Sequence, residues 1–369
     1  MSAPVYLDYN ATAPCRPCAA AAAARALESG GNPSSVHSAG RGARATLESA
    51  RRAVAALAGA APEAVLFTAG ATEADNLALR AVDAERVLVS AVEHDAVLAA
   101  RADREIAPVD GQGRLDLAAL ERALSSGAGD TLVSVMAVNN ETGVVQPIED
   151  VAALVRAAGA RLHVDAAQAA GRMELAPVWS AADYLSLSAH KMGGPPGVGA
   201  LLIRAGAPFQ PESLGGGQER RRRAGTENLP GIAGFGAAAQ ELAEGWRAEA
   251  ARVEALRDRL EAGVRASAPQ VVIAGADAPR VGNTSCIALR GLPAEKQVMA
   301  LDLDGVAVSA GSACSSGKVT KSHVLSAMGW PDDLAGAAIR VSLGWATRDD
   351  DVDRFLAAYE KLAAKAKAA

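Results

Sequence analysis

The chain contains 369 residues, of which 50% are hydrophobic and 21% are charged, and its formal net charge at pH 7 is −5. These values predict a folded globular protein of one or two domains, and they argue against nucleic-acid binding as its main purpose. No apolar stretch reaches the roughly 20 residues that cross a bilayer, and residues 1–8 lack the pattern of a secretory signal. We therefore expect no membrane span and a cytoplasmic location.

The cysteines are few for a chain of this size: Cys15, Cys18, Cys286 and Cys314. A disulfide scaffold needs a higher density, so we expect free thiols. Cys15 and Cys18 form a C-x-x-C pair, but no second pair and no histidine pair lies at metal-ligand spacing, so we predict no metal site. The role of the pair stays open. Cys286 lies in the alternating pattern of a predicted strand and is expected to be buried.

Helix-like and strand-like segments alternate along the first half of the chain. After an alanine-rich helical run at 19–28, the pattern predicts helices at 46–57 and 72–79 and strands at 64–67, 86–89, 131–138, 161–164, 184–187 and 198–203. Alternation of this kind favours an α/β fold with a mostly parallel sheet covered by helices. In such sheets ligands gather beyond the carboxyl ends of the strands, so the site is expected there.

A long helical stretch at 232–266 precedes the last third of the chain and is typical of a connector between domains. It is followed by predicted strands at 271–273, 284–289 and 306–308 and by predicted helices at 294–303 and 352–364. We predict a large doubly wound domain at 15–250. A smaller α+β domain is then formed by 1–14 together with 251–369, and it carries the loop that contains Cys314.

Lys191 lies on the turn between two predicted strands and is followed by the glycine-rich segment 192–197. Ser188 and His190 flank it with hydrogen-bond donors suited to a phosphate, and Asp165 follows a strand where it can pair with a pyridinium nitrogen. A lysine, an acidic partner and a phosphate cradle are the parts that pyridoxal phosphate requires. A lone lysine after a strand is usually a surface residue. Here its neighbours favour the cofactor.

Two further features fit the same cofactor. The segment 69–73, which includes Ala71 and Thr72, follows a strand and opens a helix, so its N–H groups and the Thr72 hydroxyl can hold a phosphate. By itself this turn resembles the start of many helices. His94 also follows a strand, where an imidazole can cover an aromatic cofactor and exchange protons, the alternative being a structural histidine.

An ordered set of motifs extends over nearly the whole chain: 6–12, 32–37, 68–76, 93–94, 138–143, 163–168, 188–197, 215–219, 224–228, 312–317 and 339–342. With this set the chain resembles the cysteine desulfurases of the NifS and IscS type, which are fold-type-I pyridoxal-phosphate enzymes of the class V aminotransferase family. The resemblance implies an enzyme that converts L-cysteine into L-alanine and holds the sulfur as a persulfide.

The resemblance also implies roles for the cofactor-binding residues. Lys191 forms the Schiff base, Asp165 pairs with the ring nitrogen, Gln168 binds the phenolic oxygen, and His94 stacks on the ring. Thr226 reaches the phosphate of the neighbouring subunit, which implies a homodimer. The implied phosphate contacts within one subunit are Ala71, Thr72, Ser188 and His190.

Substrate and sulfur are handled by a second group of residues in this family. The resemblance implies that Asn140 and Arg340 hold the substrate carboxylate, for which a planar guanidinium is well suited. Residues 309–317 are small, polar and glycine-bearing, which predicts a mobile surface loop. On that loop Cys314 is implied to be the nucleophile, with an iron–sulfur scaffold or a small sulfur carrier as the persulfide acceptor.

Some features leave alternatives open. Ala13, Pro196 and Trp345 stand where relatives commonly have threonine, lysine and arginine, and Trp345 is expected to alter substrate access or a partner surface. The arginine run at 220–223 matches either an interface loop of the family or a polyanion patch. A selenocysteine lyase or an aminotransferase shares the lysine and the aspartate, and a non-enzymatic interaction protein on this scaffold is the alternative of another class.

Overall fold

The computed structural model describes residues 4–126, 130–311 and 321–368. The helices in these ranges are α1 (Pro17–Ser29), α2 (Ser38–Ala58), α3 (Ala71–Arg80), α4 (Asp95–Leu98), α5 (Leu117–Ser125), α6 (Ile148–Ala157), α7 (Leu175–Ala181), α8 (Leu229–Ser267), α9 (Ala294–Leu303), α10 (His323–Ala327), α11 (Asp332–Ala335) and α12 (Asp349–Ala368). The strands are β1 (Val5–Tyr6), β2 (Val65–Thr68), β3 (Arg86–Ser90), β4 (Glu105–Ala107), β5 (Thr131–Met136), β6 (Arg161–Asp165), β7 (Tyr184–Ser188), β8 (Gly199–Ile203), β9 (Val272–Ile273), β10 (Thr284–Ala288), β11 (Val306–Ala307), β12 (Ser309–Ala310) and β13 (Ala338–Ser342).

The larger sheet has seven strands in the order β2-β8-β7-β6-β5-β3-β4. β8 pairs antiparallel with both of its neighbours, and the remaining pairs are parallel. Its central strands are almost entirely buried because helices cover both faces. In β5, for example, Val133 belongs to the same apolar cluster as Leu47 of α2, while Leu132 belongs to a different cluster with Leu77 of α3. This is the predicted doubly wound, mostly parallel arrangement.

Helix α2 shows why a helix forms on this face of the sheet. Its buried residues Ala43, Leu47, Ala50 and Val54 recur at helical spacing and form one apolar stripe. The helix starts after His37, whose Nδ1 accepts a hydrogen bond from the Gly40 N–H at 3.3 Å. The stripe of α2 thereby packs into the core below the sheet.

Helix α8 spans 39 residues, a length of about 58 Å at 1.5 Å per residue. At Gly236 it approaches α2 so closely that a Cβ atom would lie 2.6 Å from Ala50. Phe235 in its first half belongs to the core of the larger sheet. Leu260 in its second half packs with Phe355 of α12 in a separate apolar cluster. The helix therefore joins two cores.

The second core lies against a smaller antiparallel sheet with the order β12-β13-β10-β9. The N-terminal strand β1 pairs in parallel with β11, and Val5 and Leu7 are buried in the same cluster. The beginning and the last third of the chain thus share one core, as the sequence predicted. The domain boundaries near residues 14 and 250 stay a prediction.

Most predicted helices and strands are confirmed to within a few residues, but α2 begins at Ser38, eight residues before its predicted start. One further shift matters for the site. β5 ends at Met136, and Val138 forms an isolated bridge with Val145 in the turn that follows. The sequence patterns did not single out β4, α5, α6 or α7, which are short or alanine-rich. Across the described ranges, we find no helix long and apolar enough to cross a membrane.

A buried ion pair fixes the loop between β8 and α8. The side chains of Arg51 in α2 and Glu219 in the loop are 3% and 2% exposed, and Arg51 Nη2 lies 2.8 Å from Glu219 Oε1. The Glu219 carboxylate also accepts from the Phe67 N–H of β2 at 2.9 Å. Glu219, Arg220 and Arg221 have φ values of 44°, 57° and 65°, the left-handed region that non-glycine residues seldom adopt. The ion pair holds this strained turn against the sheet.

We expect Glu219→Ala to lower the free energy of unfolding by about 3 kcal/mol, because it removes the buried carboxylate that pairs with the Arg51 guanidinium and leaves the more exposed Glu48 as its ionic partner. Equilibrium urea denaturation measures this value. The matched control is Glu105→Ala, which removes a carboxylate that is 49% exposed and paired with Arg86. The control should cost less than about 1 kcal/mol, as exposed ion pairs usually do. Equal losses in the two variants would contradict the role given to burial.

Candidate active site

The carboxyl ends of β2, β3, β5, β6 and β7 meet at one edge of the larger sheet, since these strands all run in the same direction. A cavity of about 520 Å³ opens at this edge. The predicted site residues that line it are Ala71, Thr72, His94, Asn140, Asp165, Gln168, Ser188, His190, Lys191 and Arg340. Residues separated by up to 270 positions in the sequence are therefore brought together.

Lys191 lies at the end of a short 3-10 turn, Ala189–Lys191, that directly follows β7. Its Nζ donates to the carbonyl oxygens of Asn10 at 2.6 Å and Ala11 at 2.9 Å. The chain then reverses through Gly193, whose φ of 86° favours glycine. The N-terminal segment thus holds the amine at the cavity wall. Lys191 lies on the turn after β7, as the sequence predicted.

Asp165 ends β6 and is 6% exposed. Its Oδ1 accepts from the Ala167 N–H at 2.9 Å. Burial raises the pKa of Asp165, while the Ala167 hydrogen bond and the nearby His94 and Lys191 lower it. A protonated ring nitrogen placed beside this carboxylate would supply the opposite charge that its buried position lacks.

A layer of buried polar residues lies beneath Asp165. His163 of β6 contacts the Ser134 hydroxyl at 2.8 Å and the Ser186 hydroxyl at 2.9 Å. Burial lowers the pKa of His163 to about 3, so its ring is neutral. Asp75 of α3, whose Oδ1 is 3.6 Å from His163, lines the cavity and has its pKa raised by burial and by Asp165. His163 is therefore structural.

His94 lies between β3 and α4, where its Nδ1 accepts from the Ala96 N–H at 3.1 Å. This contact caps the short helix α4 and leaves the proton of a neutral ring on Nε2. The imidazole is therefore oriented by the backbone at the cavity wall. Such a ring can both cover a flat ligand and exchange a proton.

One end of the cavity is built for an anion. Helix α3 begins after Gly70, which has no side chain to accept hydrogen bonds from the first N–H groups of the helix. An anion can take that place. The Thr72 and Ser188 hydroxyls lie at the same cavity. His190 contacts the Thr12 hydroxyl through Nδ1 at 3.1 Å, and burial lowers its pKa to about 4. A neutral imidazole of this kind can donate a hydrogen bond to a phosphate.

The donor set fits pyridoxal phosphate. A lysine amine, a buried carboxylate and a helix N-terminus surround a cavity whose volume lies in the range of ordinary cofactor sites. Gly199 allows β8 to pass close to the turn before α3, since a Cβ atom on Gly199 would lie 2.7 Å from Gly70. The residues that would hold the cofactor are Ala71, Thr72, His94, Asp165, Gln168, Ser188, His190 and Lys191.

Arg340 of β13 reaches the cavity from the smaller sheet. It is 2% exposed, and its guanidinium donates to the Asn140 carbonyl at 3.1 Å and to Asp8 Oδ1 at 2.9 Å. Asp8 and Asn140 therefore fix the orientation of the guanidinium. A planar guanidinium held in this way can bind a ligand carboxylate.

Asn10 is a site residue to which the sequence analysis gave no role. It is 1% exposed, and its carbonyl accepts from both Lys191 Nζ and Gln168 Nε2, the latter at 3.0 Å. Its side chain donates to the Asn140 carbonyl at 3.0 Å. The only signal in the sequence was its place in the motif 6–12. Its contacts depend on tertiary structure, because its partners lie at least 130 residues away.

Thr226 does not line this cavity, and Cys314 cannot be placed relative to it. Thr226 is exposed on the segment before α8. Cys314 lies outside the described residues, so its position relative to Lys191 stays a prediction. The other cysteines, Cys15, Cys18 and Cys286, are free thiols, and Cys286 is buried in β10 as predicted.

Trp345 lines a separate small cavity of about 40 Å³ behind Lys191 rather than the larger one. Its Nε1 donates to the Pro14 carbonyl at 2.9 Å, and the Arg16 guanidinium lies 5.6 Å from its ring centre. Trp345 therefore packs the N-terminal segment against the smaller sheet. Trp345 does not border the larger cavity. No contact of its side chain with that cavity therefore supports the expected effect on substrate access.

Comparisons with known proteins agree with this geometry. The family model of the class-V aminotransferases matches residues 5–355. The chain is 47% identical over 367 residues to a cysteine desulfurase of Cereibacter sphaeroides, covering 95% of this chain and 94% of the relative. It is 40% identical over 382 residues to an IscS-like cysteine desulfurase of Mycobacterium tuberculosis, covering 99% and 97%.

A solved structure gives the same result for the fold. The NifS-like protein from Rickettsia africae matches with a TM-score of 0.90 at 30% identity, covering 97% of this chain and 99% of that one. Sequence and fold thus agree over nearly the whole length of the chain, including the strands that end at the cavity. The protein belongs to the class-V aminotransferase family.

Proposed function

We propose that this protein is a cysteine desulfurase that converts L-cysteine into L-alanine and holds the sulfur as a persulfide on Cys314. The observation that carries the proposal is the convergence of Lys191, Asp165 and Arg340 on one cavity. The desulfurase relatives, which match over 94–97% of their own length, support the same activity.

The cofactor of this reaction is pyridoxal phosphate, which supplies an aldehyde that binds amines and a ring that accepts the electron pair left at the substrate α-carbon. In our assignment Lys191 holds the aldehyde, Asp165 pairs with the ring nitrogen, and Gln168 binds the phenolic oxygen. The N-terminus of α3, with Thr72, Ser188 and His190, holds the phosphate. Each of these groups lines the same cavity, which supports the assignment.

Arg340 and Asn140 hold the substrate carboxylate and thereby orient its α-carbon. Lys191 or His94 removes the α-proton, since each carries a nitrogen that can accept a proton and both line the cavity. The guanidinium is held between Asp8 and the Asn140 carbonyl before any ligand arrives. This preorganisation lowers the entropic cost of placing the substrate.

The sulfur step belongs to Cys314. Its thiolate attacks the substrate sulfur, so that an S–S bond forms while the bond between the β-carbon and sulfur breaks. The electron pair of the broken bond stays with the β-carbon, which takes up a proton and becomes the methyl group of alanine. Cysteine and thiol give alanine and persulfide, so the step needs no external oxidant or reductant.

The proposal extends to partners and location. We infer a cytoplasmic homodimer in which Thr226 of one subunit contributes to the phosphate site of the other, and its exposed position supports this. The persulfide then passes to an iron–sulfur scaffold or to a small sulfur carrier. Either acceptor has to approach Cys314 from outside the cavity.

The proposed function is tested with Cys314→Ser. This variant should bind cofactor and cysteine but form no persulfide, and alanine production should fall at least about 100-fold, because a hydroxyl is a far weaker nucleophile than a thiolate. Peptide mass spectrometry locates the added sulfur, and alanine is quantified in parallel. The control is Cys15→Ser, which removes an exposed thiol and should behave as wild type. Alanine production that survives in Cys314→Ser would refute the role of this thiol.

Asp165→Asn tests the acidic partner of the ring nitrogen. We expect the variant to keep bound cofactor through the phosphate contacts and to lose about 100-fold in kcat, since a preorganised charge at the reacting group is removed. Steady-state kinetics and absorbance spectra measure the two effects. Asp183→Asn is the matched control, because Asp183 precedes β7 at the opposite edge of the sheet. A normal kcat in Asp165→Asn would show that another group protonates the ring.

Mixed dimers test whether Thr226 acts across the interface. Lys191→Ala chains mixed with Thr226→Ala chains should form heterodimers with one intact site, so statistical exchange should restore about a quarter of wild-type activity. Native mass spectrometry confirms the heterodimers. Lys191→Ala mixed with Asp165→Asn is the control and should restore nothing, since both changes affect the site of their own subunit. Equal recovery in the two mixtures would contradict a shared site.

A further inference from the structure

Glu141 is a buried carboxylate that the proposed mechanism does not use. It is 3% exposed and lies in the turn after β5, next to Asn140. The Asn139 side chain fixes this turn, because its Oδ1 accepts from the Glu141 N–H at 2.9 Å and from the Thr142 N–H at 3.0 Å. The direction of the Glu141 side chain is therefore set by a rigid turn.

One oxygen of Glu141 meets the described chain on both sides of residues 312–320. The Ser322 hydroxyl donates to Glu141 Oε2 at 2.6 Å. On the other side, a Cβ atom on Gly311 would lie 2.9 Å from the same Oε2. Gly311 directly precedes residues 312–320, and Ser322 follows them by two positions. The carboxylate therefore bonds to Ser322 on one side of the segment and lies close to the Gly311 backbone on the other.

Both ends are themselves attached to fixed elements. Ser322 caps α10, since its hydroxyl accepts from the Leu325 N–H at 3.1 Å. Gly311 follows β12, which pairs with β13 in a register that places Ser309 opposite Arg340. Glu141 thus connects two secondary-structure elements that lie on either side of the Cys314 segment.

The same turn also contacts the predicted carboxylate-binding group. The Asn140 carbonyl accepts from Arg340 at 3.1 Å, one residue before Glu141. Burial raises the pKa of Glu141, while the Ser322 hydrogen bond, His323 and Arg340 lower it. A carboxyl group in such a place is costly unless its oxygens find donors, and Ser322 is the donor to its Oε2.

We propose that Glu141 is a positioning residue that ties the two ends of segment 312–320 together and so sets where the Cys314 thiol is presented. The role given to Cys314 rests on the proposed function. The hydrogen bond from Ser322 to Glu141 and the closeness of Gly311 to the same oxygen do not depend on it. In this arrangement Asn140 orients the substrate through Arg340, and the adjacent Glu141 orients the nucleophile. One turn thereby sets both partners of the sulfur step.

The tie is tested without substrate by limited trypsin digestion at Lys318, followed by mass spectrometry. Glu141→Ala and Ser322→Ala should each be cleaved there about tenfold faster, the factor expected when a hydrogen bond to a charged group is lost. Glu141→Gln keeps an acceptor oxygen and should stay within about twofold of wild type. The matched control is Ser326→Ala in the same helix, whose hydroxyl donates to the Ser322 carbonyl at 2.8 Å and not to Glu141.

The second readout is sulfur transfer by the cofactor-loaded enzyme. In Glu141→Ala and Ser322→Ala the rate of persulfide formation on Cys314 should fall at least about tenfold while KM for cysteine stays near wild type, and the double variant should be no worse than the poorer single one. Wild-type cleavage and transfer in both variants would overturn the inference. Absence of persulfide in the wild-type enzyme would instead refute the proposed function, and the trypsin comparison would still decide whether Glu141 ties the ends.

Discussion

The common direction of five strands is the constraint on which the site depends. Because β2, β3, β5, β6 and β7 run the same way, the residues that follow each of them arrive at one edge of the sheet. The strands themselves are buried on both faces, and the polar groups that reach the cavity lie at or beyond the strand ends. Lys191, Asp165, His94 and the turn before α3 are brought within one cavity by this geometry alone.

Completion of the site requires the smaller sheet and the N-terminal segment. Arg340 comes from β13, and Asn10 follows β1 and contacts both Lys191 and Gln168. The antiparallel sheet and the parallel sheet therefore meet at the cavity rather than elsewhere. Helix α8 gives them a common support, since its two halves belong to two different cores. A carboxylate ligand bound by Arg340 would lie where the two sheets meet.

The partners of the buried charged groups explain where each charge is tolerated. Arg51 and Glu219 compensate each other and hold a strained loop, which is a structural use. Among the described residues, the Ala167 N–H and the more distant His94 and Lys191 offset the burial of Asp165. A buried carboxylate with so little compensation is suited to a cationic ligand group. Glu141 lies between these two cases, because its carboxylate accepts a hydrogen bond from the hydroxyl of Ser322, which also caps α10.

The sequence by itself determined the alternation of helices and strands and the residue types at the strand ends, because both depend on periodicity and on local turn chemistry. It thereby predicted the doubly wound sheet, the turn that carries Lys191 and the position of Asp165. Tertiary structure alone decided the role of Asn10, the burial of the Arg51–Glu219 pair and the convergence of Gly311 and Ser322 on Glu141. These contacts join residues that are more than 150 positions apart, and no local pattern in a sequence encodes which distant segments will meet.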